Sequence, residues 1–381
     1  MKQHHRLMAA LITLIMVGVP TFAFAANQHD APDIVFVNGR IYTVDDTRRW
    51  VEAIAVSGKS IIALGDGVAI RALAGSATEI IDLDGRMVMP GIHDAHTHLL
   101  MAGLKWTYEC RLPPTAGRAG IIKALQQCAK KRPGNGWIVA GDYNPNLLGE
   151  GPIDKGFLDA AFPDRPIFLY EYTIHHALVN SRALNLAGID ASTLDPPKGR
   201  IGRNPDTGAA TGELIEMATS LVTRVIPHYA EAVYRDALRF AIARCHEFGI
   251  TSIQEASATR RLLDLYGEFD RGDALNLSVT AHIVWGSEKW GDGTTASLDT
   301  LIENRATYAT EHVNSNGVKV WMDGAPLPPY FSESRVDSTT REPEPENLLF
   351  DVETLAAKLR EWRVAGIKPK IPVAGAGAAR A

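Results

Sequence analysis

Residues 90–99 read Pro90-Gly91-Ile92-His93-Asp94-Ala95-His96-Thr97-His98-Leu99 and follow the apolar run Met87-Val88-Met89. In a β-strand, residues two apart point to the same side. His96 and His98 can therefore both direct a neutral ring nitrogen at one metal ion. A second interpretation is two polar residues on the wet face of a strand. The Pro-Gly turn at the strand end and the neighbouring Asp94 favour the metal site.

Downstream of this stretch, apolar strands alternate with helical patterns. Strands are predicted at 249–253, 277–283, 317–321 and 367–373, and helices at 229–248, 258–268, 297–310 and 352–364. Such alternation predicts a parallel sheet with helices packed on it. A further helix is predicted at 116–131, before the alternation begins.

The N-terminal part has a different pattern. Lys2 and Arg6 precede an apolar stretch at 7–19, and Ala23-Phe24-Ala25 fits the small-x-small cleavage rule. We therefore expect a signal peptide at 1–25, cleavage after Ala25 and export to the periplasm or the medium; an uncleaved membrane anchor is the alternative. Short strands at 34–44, around an Asn-Gly turn, and at 53–56, 60–65 and 79–83 predict a β unit over 26–89. The main domain is expected at 90–381.

Charge and cysteine content narrow the class of protein. The net charge of −5 excludes a broad basic surface for nucleic acid. An oxidising compartment would permit a Cys110–Cys128 bridge. The odd number of cysteines argues against a disulfide framework, and Cys245 lies in an apolar helical pattern.

Five stretches together resemble the metal-dependent amidohydrolase superfamily, in its amidohydrolase-3 branch. They lie at 90–98, 175–184, 211–216, 249–256 and 318–324. The resemblance implies an α/β fold: a TIM-like (β/α)8 barrel, here incomplete with strands one to five, preceded by half of a small β-sandwich unit. It also implies an inserted subdomain at about 133–226 that roofs the active site. Strands six to eight are expected to be absent, which would leave strand edges unpaired.

The resemblance also implies site residues. His96, His98 and a carboxylated Lys319 would bind one or two divalent cations, for which zinc is the best match; otherwise Lys319 pairs with Asp323 or reaches solvent. His175, Glu216, Tyr143 and Asp323 would contact substrate. The alternatives are surface polarity for His175, a helix N-terminal acid for Glu216 and loop shaping for Asp323.

The implied reaction is hydrolysis of a non-peptide carbon–nitrogen bond in a small-molecule amide or cyclic amide. After leader cleavage we expect no stable membrane span, and the oligomeric state stays open. The proton-shuttling Asp of strand eight is expected to lie outside this chain. Pro372 and Ala376 stand where the family pattern has a metal-binding His and an Asp. Three alternatives therefore stay open: a non-catalytic binding remnant, an error in the recorded sequence, and a metal-dependent cyclase or isomerase.

Overall fold

The computed structural model describes residues 31–149, 153–286, 295–325 and 332–381. These divide into two compact units, one ending at Pro90 and the other spanning Gly91–Ala381. The predicted signal peptide at 1–25 lies outside the described residues. Within the described ranges, no helix is both long and apolar enough to span a membrane.

The N-terminal unit contains two small sheets. Its elements are β1 (Ile34–Val37), β2 (Arg40–Tyr42), β3 (Trp50–Val51), β4 (Ala53–Ser57), β5 (Ser60–Gly65), α1 (Gly67–Arg71), β6 (Glu79–Asp82) and β7 (Met87–Val88). One sheet has the order β5-β4-β1-β6 and the other the order β3-β2-β7. Packing of the two sheets as a sandwich stays a prediction.

The Asn38-Gly39 turn does not join a hairpin. β1 pairs with β4 and β6, whereas β2 pairs with β3 and β7. Asn38 has a φ of 54°, a left-handed conformation that Asn tolerates better than most residues. The turn therefore connects the two sheets, and β1 and β2 pair with strands farther along the chain instead of with each other.

The second unit starts with β8 (Ile92–Thr97) and α2 (Leu99–Thr107), which lead into a six-stranded sheet. That sheet consists of β9 (Cys110–Arg111), β10 (Ile138–Tyr143), β11 (Ile167–Glu171), β12 (His176–Val179), β13 (Gly199–Arg203) and β14 (Ala210–Glu216), with α3 (Arg118–Lys131), α4 (Gly156–Ala161), α5 (Ser181–Ala187) and α6 (Ser220–Thr223). Its order is β13-β14-β12-β11-β10-β9. β9, β10 and β11 are parallel, and the other pairs are antiparallel. We call this sheet with its helices the roof.

The roof starts earlier in the chain than the predicted insertion at about 133–226, because its first strand begins at Cys110. Cys110 is joined to Cys128 of α3 by a disulfide with a Cα–Cα distance of 5.9 Å. The bridge ties α3 to the edge strand of the roof. Cys245 is a buried free cysteine, as its apolar surroundings in the sequence predict.

The remaining elements form half of a barrel. They are α7 (Glu231–Glu247), β15 (Ile250–Ala258), α8 (Arg260–Arg271), β16 (Ser278–Val284), α9 (Thr295–Glu303), β17 (Val313–Lys319), α10 (Val352–Val364), β18 (Lys368–Lys370) and α11 (Ala376–Arg380). Short 3-10 turns occur at Pro145–Leu147, Met217–Thr219, Arg305–Tyr308 and Pro345–Asn347. The sheet order is β18-β17-β16-β15-β8, and every pair is parallel. The predicted parallel half-barrel with its strands in chain order is confirmed.

One apolar core joins the outer face of this sheet to its helices. Ile253 and Val279 from the strands pack with Leu238 of α7, Tyr266 of α8 and Trp362 of α10. Helix α2 crosses α7 at Gly103, where a Cβ would lie 2.2 Å from the carbonyl oxygen of Ala237. Only glycine permits this backbone approach.

The fifth barrel strand is shorter than predicted. The sequence predicts 367–373, whereas β18 covers Lys368–Lys370. Pro369 lies opposite Val318, and proline has no N–H to donate to a strand ladder. Because β18 is at the end of the described sheet, the missing donor is tolerated there.

Candidate functional site

The two predicted histidine ligands lie together where β8 ends and α2 begins. The ring centroids of His96 and His98 are 5.4 Å apart, with the rings at 70° to each other. His98 occupies the N-cap position of α2. Its Nδ1 is buried and has no hydrogen-bond partner in the described part of the chain. A buried nitrogen lone pair or N–H without a hydrogen-bond partner is costly, and the polar atom closest to meeting this need is Oε1 of Glu255, 3.7 Å away.

Lys319, at the carboxyl end of β17, is brought to the same place. It is only 1% exposed. Burial, followed by the charge of Lys370, lowers the pKa of Lys319 from 10.5 to about 8. Burial, followed by the charges of Lys319, His98 and Lys370, lowers the pKa of His96 to about 4. His96 is therefore within electrostatic range of three other basic side chains, Lys319, His98 and Lys370.

A buried carboxylate supports His98 from behind. Glu255 on β15 accepts hydrogen bonds from the N–H of Leu99 at 2.9 Å, the hydroxyl of Tyr266 at 3.1 Å and the N–H of Ser257 at 3.1 Å. Its Oε1 lies 3.7 Å from Nδ1 of His98. Glu255 thus places a hydrogen-bonded carboxyl group beside His98.

His175 and Glu216 form a pair on the roof. Nδ1 of His175 lies 2.8 Å and 3.0 Å from the two carboxylate oxygens of Glu216. The hydroxyl of Ser332 donates to Oε1 of Glu216 at 2.7 Å. Glu216 has a φ of 48°, and such backbone strain often occurs at functional sites.

The loop after β17 approaches the His175–Glu216 pair at Gly324. A Cβ on Gly324 would lie 2.2 Å from Oγ of Ser332 and 2.6 Å from Oε1 of Glu216. The roof carboxylate therefore reaches the loop that follows Lys319 only because residue 324 has no side chain.

Asp323 and Tyr143 are both buried away from open solvent. The carboxylate of Asp323 accepts three backbone N–H groups, from Ser334 at 3.0 Å, Gly375 at 2.8 Å and Ala374 at 2.9 Å. This geometry matches the loop-shaping alternative, because the carboxylate ties two strand-end loops together. Tyr143 is 2% exposed within the core of the roof, and burial raises the pKa of its hydroxyl well above 10. Substrate contact by either residue stays a prediction.

Two site residues were not singled out from the sequence. Nζ of Lys370 donates to the carbonyl of Ala95 at 2.6 Å. His282, 4% exposed on β16, has Nδ1 3.0 Å from the carbonyl oxygen of Glu255. Both lie at the carboxyl ends of barrel strands, the edge at which barrel enzymes place their chemistry. Their positions at the predicted strand ends are the feature of the sequence that could have identified them as site residues.

The donor set fits a divalent cation on one condition. Among the described residues, no group of three or more His, Cys, Asp or Glu side chains is arranged to hold a metal ion. His96 and His98 supply two imidazoles, and a third donor must come from elsewhere. Lys319 qualifies once it carries a carboxylate, which replaces a repelling charge with an anionic oxygen ligand.

Comparison with known proteins identifies a family and two relatives of this chain. A sequence profile described as "Amidohydrolase family" matches residues 79–381. N-substituted formamide deformylase of Arthrobacter pascens is 29% identical over 62% of this chain and 45% of its own length. The putative amidohydrolase YtcJ of Bacillus subtilis is 32% identical over 57% of this chain and 41% of its own. The chain thus spans less than half the length of these two relatives.

A solved structure shares the fold. The uncharacterized metal-dependent hydrolase of Pyrococcus horikoshii superimposes with a TM-score of 0.64 at 23% identity, covering 91% of this chain and 66% of the other. At this identity the likeness concerns the fold alone, and it agrees with the parallel half-barrel.

Proposed function

This chain belongs to the amidohydrolase family, in its amidohydrolase-3 branch, and on that premise we propose a metal-dependent hydrolase that acts on non-peptide carbon–nitrogen bonds. The proposal is supported by the positions of His96 and His98 at the end of β8 and of buried Lys319 at the end of β17, where the charge of Lys319 acts on His96. Small-molecule amides and cyclic amides are the proposed substrates.

His96, His98 and a carboxylated Lys319 would hold the cation, for which we propose zinc. Carboxylation joins the neutral amine to carbon dioxide and releases one proton, leaving an anionic carbamate. Burial favours this step because it lowers the pKa of Lys319 to about 8, so a larger share of the amine is neutral near pH 7. When bound, the cation supplies Lewis-acid polarisation of a carbonyl oxygen and activation of water.

The roof residues have separate proposed roles. We propose that Glu216 accepts a hydrogen bond from Nδ1–H of His175 and so sets the tautomer and orientation of that ring. His175 would then present its ring to the substrate. Glu255, 3.7 Å from Nδ1 of His98, would orient that ring, as supporting carboxylates do for metal-binding histidines.

The deformylase relative suggests where a substrate search would start. Its name states that it acts on N-substituted formamides. We propose that small N-acylated amines are the first compounds to assay with this chain, followed by cyclic amides.

A non-catalytic binding protein is the second candidate. It is favoured by the absence, within the described residues, of three His, Cys, Asp or Glu side chains placed for a metal. Pro372, which cannot donate to a metal through its side chain, agrees with it.

Metal retention and turnover separate the two candidates. The purified full chain is incubated with zinc and bicarbonate and dialysed, and its zinc is measured by mass spectrometry. A hydrolase retains about one equivalent or more, loses it in His98→Ala and Lys319→Met, and keeps it in His228→Ala, a control at an exposed residue. Retained zinc with release of amine from an amide panel supports the hydrolase. No retained zinc supports the binding protein, and zinc without turnover of any amide refutes the proposed activity.

We also propose that the protein is exported. The signal-like stretch at 1–25 supports this, as does the Cys110–Cys128 disulfide, because such bonds persist in oxidising compartments. N-terminal sequencing of the extracellular fraction tests it, and material that still begins at Met1 would refute it.

A further inference from the structure

A cleft of about 470 Å³ opens at one edge of the roof. Its walls come from α2 between Ala102 and Trp106, from β9 and from the ends of β10 and β11. Those three strands are parallel neighbours. Ligands of open α/β sheets bind in the crevice outside the carboxyl ends of parallel strands, and the volume lies in the usual range for small-molecule sites.

Among the charged side chains that line the cleft, one cation has no carboxylate partner in the described part of the chain. Nζ of Lys105 lies 2.5 Å from Oδ1 of Asp142, so this pair is internally compensated. Arg111 is exposed and makes no hydrogen bond or ion pair with any residue that the structure describes. Its guanidinium lies 3.5 Å from the ring centroid of Trp106. This stacking orients the guanidinium but does not satisfy its N–H donors. A guanidinium can form two parallel hydrogen bonds with a carboxylate.

Two exposed aromatic rings give the cleft an apolar surface. Trp106 is 54% exposed and Tyr172 is 48% exposed, and both line the cleft. Large aromatic side chains usually bury more of their surface, and exposed ones beside polar groups indicate a binding site.

The backbone at the cleft is also unusual. Asp142 has a φ of 74°, and the pairing of β10 with β11 shifts register between Ala140 and Tyr143. Irregular strand pairings of this kind redirect side chains beside binding sites. Here the irregularity directs Asp142 toward Lys105 and leaves Arg111 as the unsatisfied group.

We propose that this cleft binds a small aromatic carboxylate, with the ring against Tyr172 and beside the stacked pair of Arg111 and Trp106, and with the carboxylate on Arg111. None of the three proposed metal ligands, His96, His98 and Lys319, is among the described residues that line the cleft. The proposal therefore does not depend on metal binding or on hydrolysis.

Calorimetric titration of the full chain with benzoate tests the proposal. We expect saturable binding in roughly the millimolar range for so small a ligand. Benzamide, which has the same ring without the charge, should bind about tenfold more weakly, since a charge-assisted pair is lost. The same loss is expected for benzoate with Arg111→Gln.

Two further variants separate the site from general effects. Tyr172→Leu should weaken benzoate and benzamide alike, because it removes ring surface and leaves the stacked pair of Arg111 and Trp106 intact. Arg363→Gln, at an exposed arginine on α10, should leave binding unchanged. Equal binding of benzoate and benzamide by the unmodified chain, no saturable binding, or no effect of Arg111→Gln in a variant with the parent's circular dichroism spectrum would each overturn the proposal.

Discussion

Glu213 links stability to pH in a way that one substitution can isolate. It lies on β14 in the roof and is 3% exposed. Burial raises its pKa from 4.5 to about 7, and the charge of Arg200 offsets this only in part. Between these two values the folded chain keeps a proton on Glu213 that the unfolded chain releases. The folded state binds more protons in this window, so the free energy of unfolding falls as pH rises through it.

The size of the effect follows from the two pKa values. Raising the pKa from 4.5 to about 7 corresponds to about 3 kcal/mol of stability lost by the time the pH exceeds 7. Glu213→Gln keeps the shape and stays neutral at every pH. We expect the variant to match the parent at about pH 4 and to exceed its free energy of unfolding by about 3 kcal/mol at about pH 8.

Urea unfolding followed by tryptophan fluorescence measures the difference at both pH values. Buried Glu109, whose pKa burial also raises to about 7, contributes in the same direction to both proteins, and the comparison cancels it. Glu342→Gln, at an exposed residue, is the matched control and should leave the pH dependence unchanged. Identical pH dependence in Glu213→Gln and the parent, or a variant that is less stable at high pH, would refute the reasoning.

Three further predictions concern packing and cross-links. Gly324→Ala should lower the free energy of unfolding by about 1–3 kcal/mol, because the new Cβ would meet Oε1 of Glu216 at 2.6 Å; in thermal denaturation, Gly136→Ala, with open space around its Cβ position, serves as the control, and equal losses would contradict the contact. Asp323→Asn should cost about 2 kcal/mol in urea unfolding, since an amide offers one acceptor to three backbone donors; unchanged stability with a raised KM would instead support substrate binding. Cys110→Ser should cost about 3 kcal/mol, the value for a loop closed over a separation of 18 residues, and equal unfolding curves with and without reductant would exclude it.

The half-barrel could be predicted because its signals are local. Each strand after residue 249 is a short apolar run followed by a helical pattern, and chain order then gives sheet order for parallel strands. The Asn38-Gly39 turn and its two flanking strands could be predicted because turn chemistry is local, whereas the partners of β1 and β2 could not, because they are distant in the chain. β9 was missed because two residues are too few to show a period.

In the candidate site, too, some residues could be predicted from a local sequence pattern and others could not. His96 and His98 are recognisable from their spacing, and the structure places Lys319 beside them. Lys370 and His282 join the site only through the register of β16, β17 and β18, which no single stretch of sequence contains. The three backbone donors to Asp323 come from two distant loops, so a sequence pattern could not distinguish a substrate ligand from a loop anchor.

The close packing of helix α2 also bears on whether ligands bound near its two ends affect each other's affinity. Gly103 is pressed against the backbone of α7, so α2 has no room to slide or rotate when a ligand binds near either end. Conformational coupling between two sites requires an element that has two arrangements. The histidine pair and the aromatic cleft should therefore be coupled only by the direct attraction between a bound cation and a bound carboxylate, and this coupling should fade as the salt concentration rises.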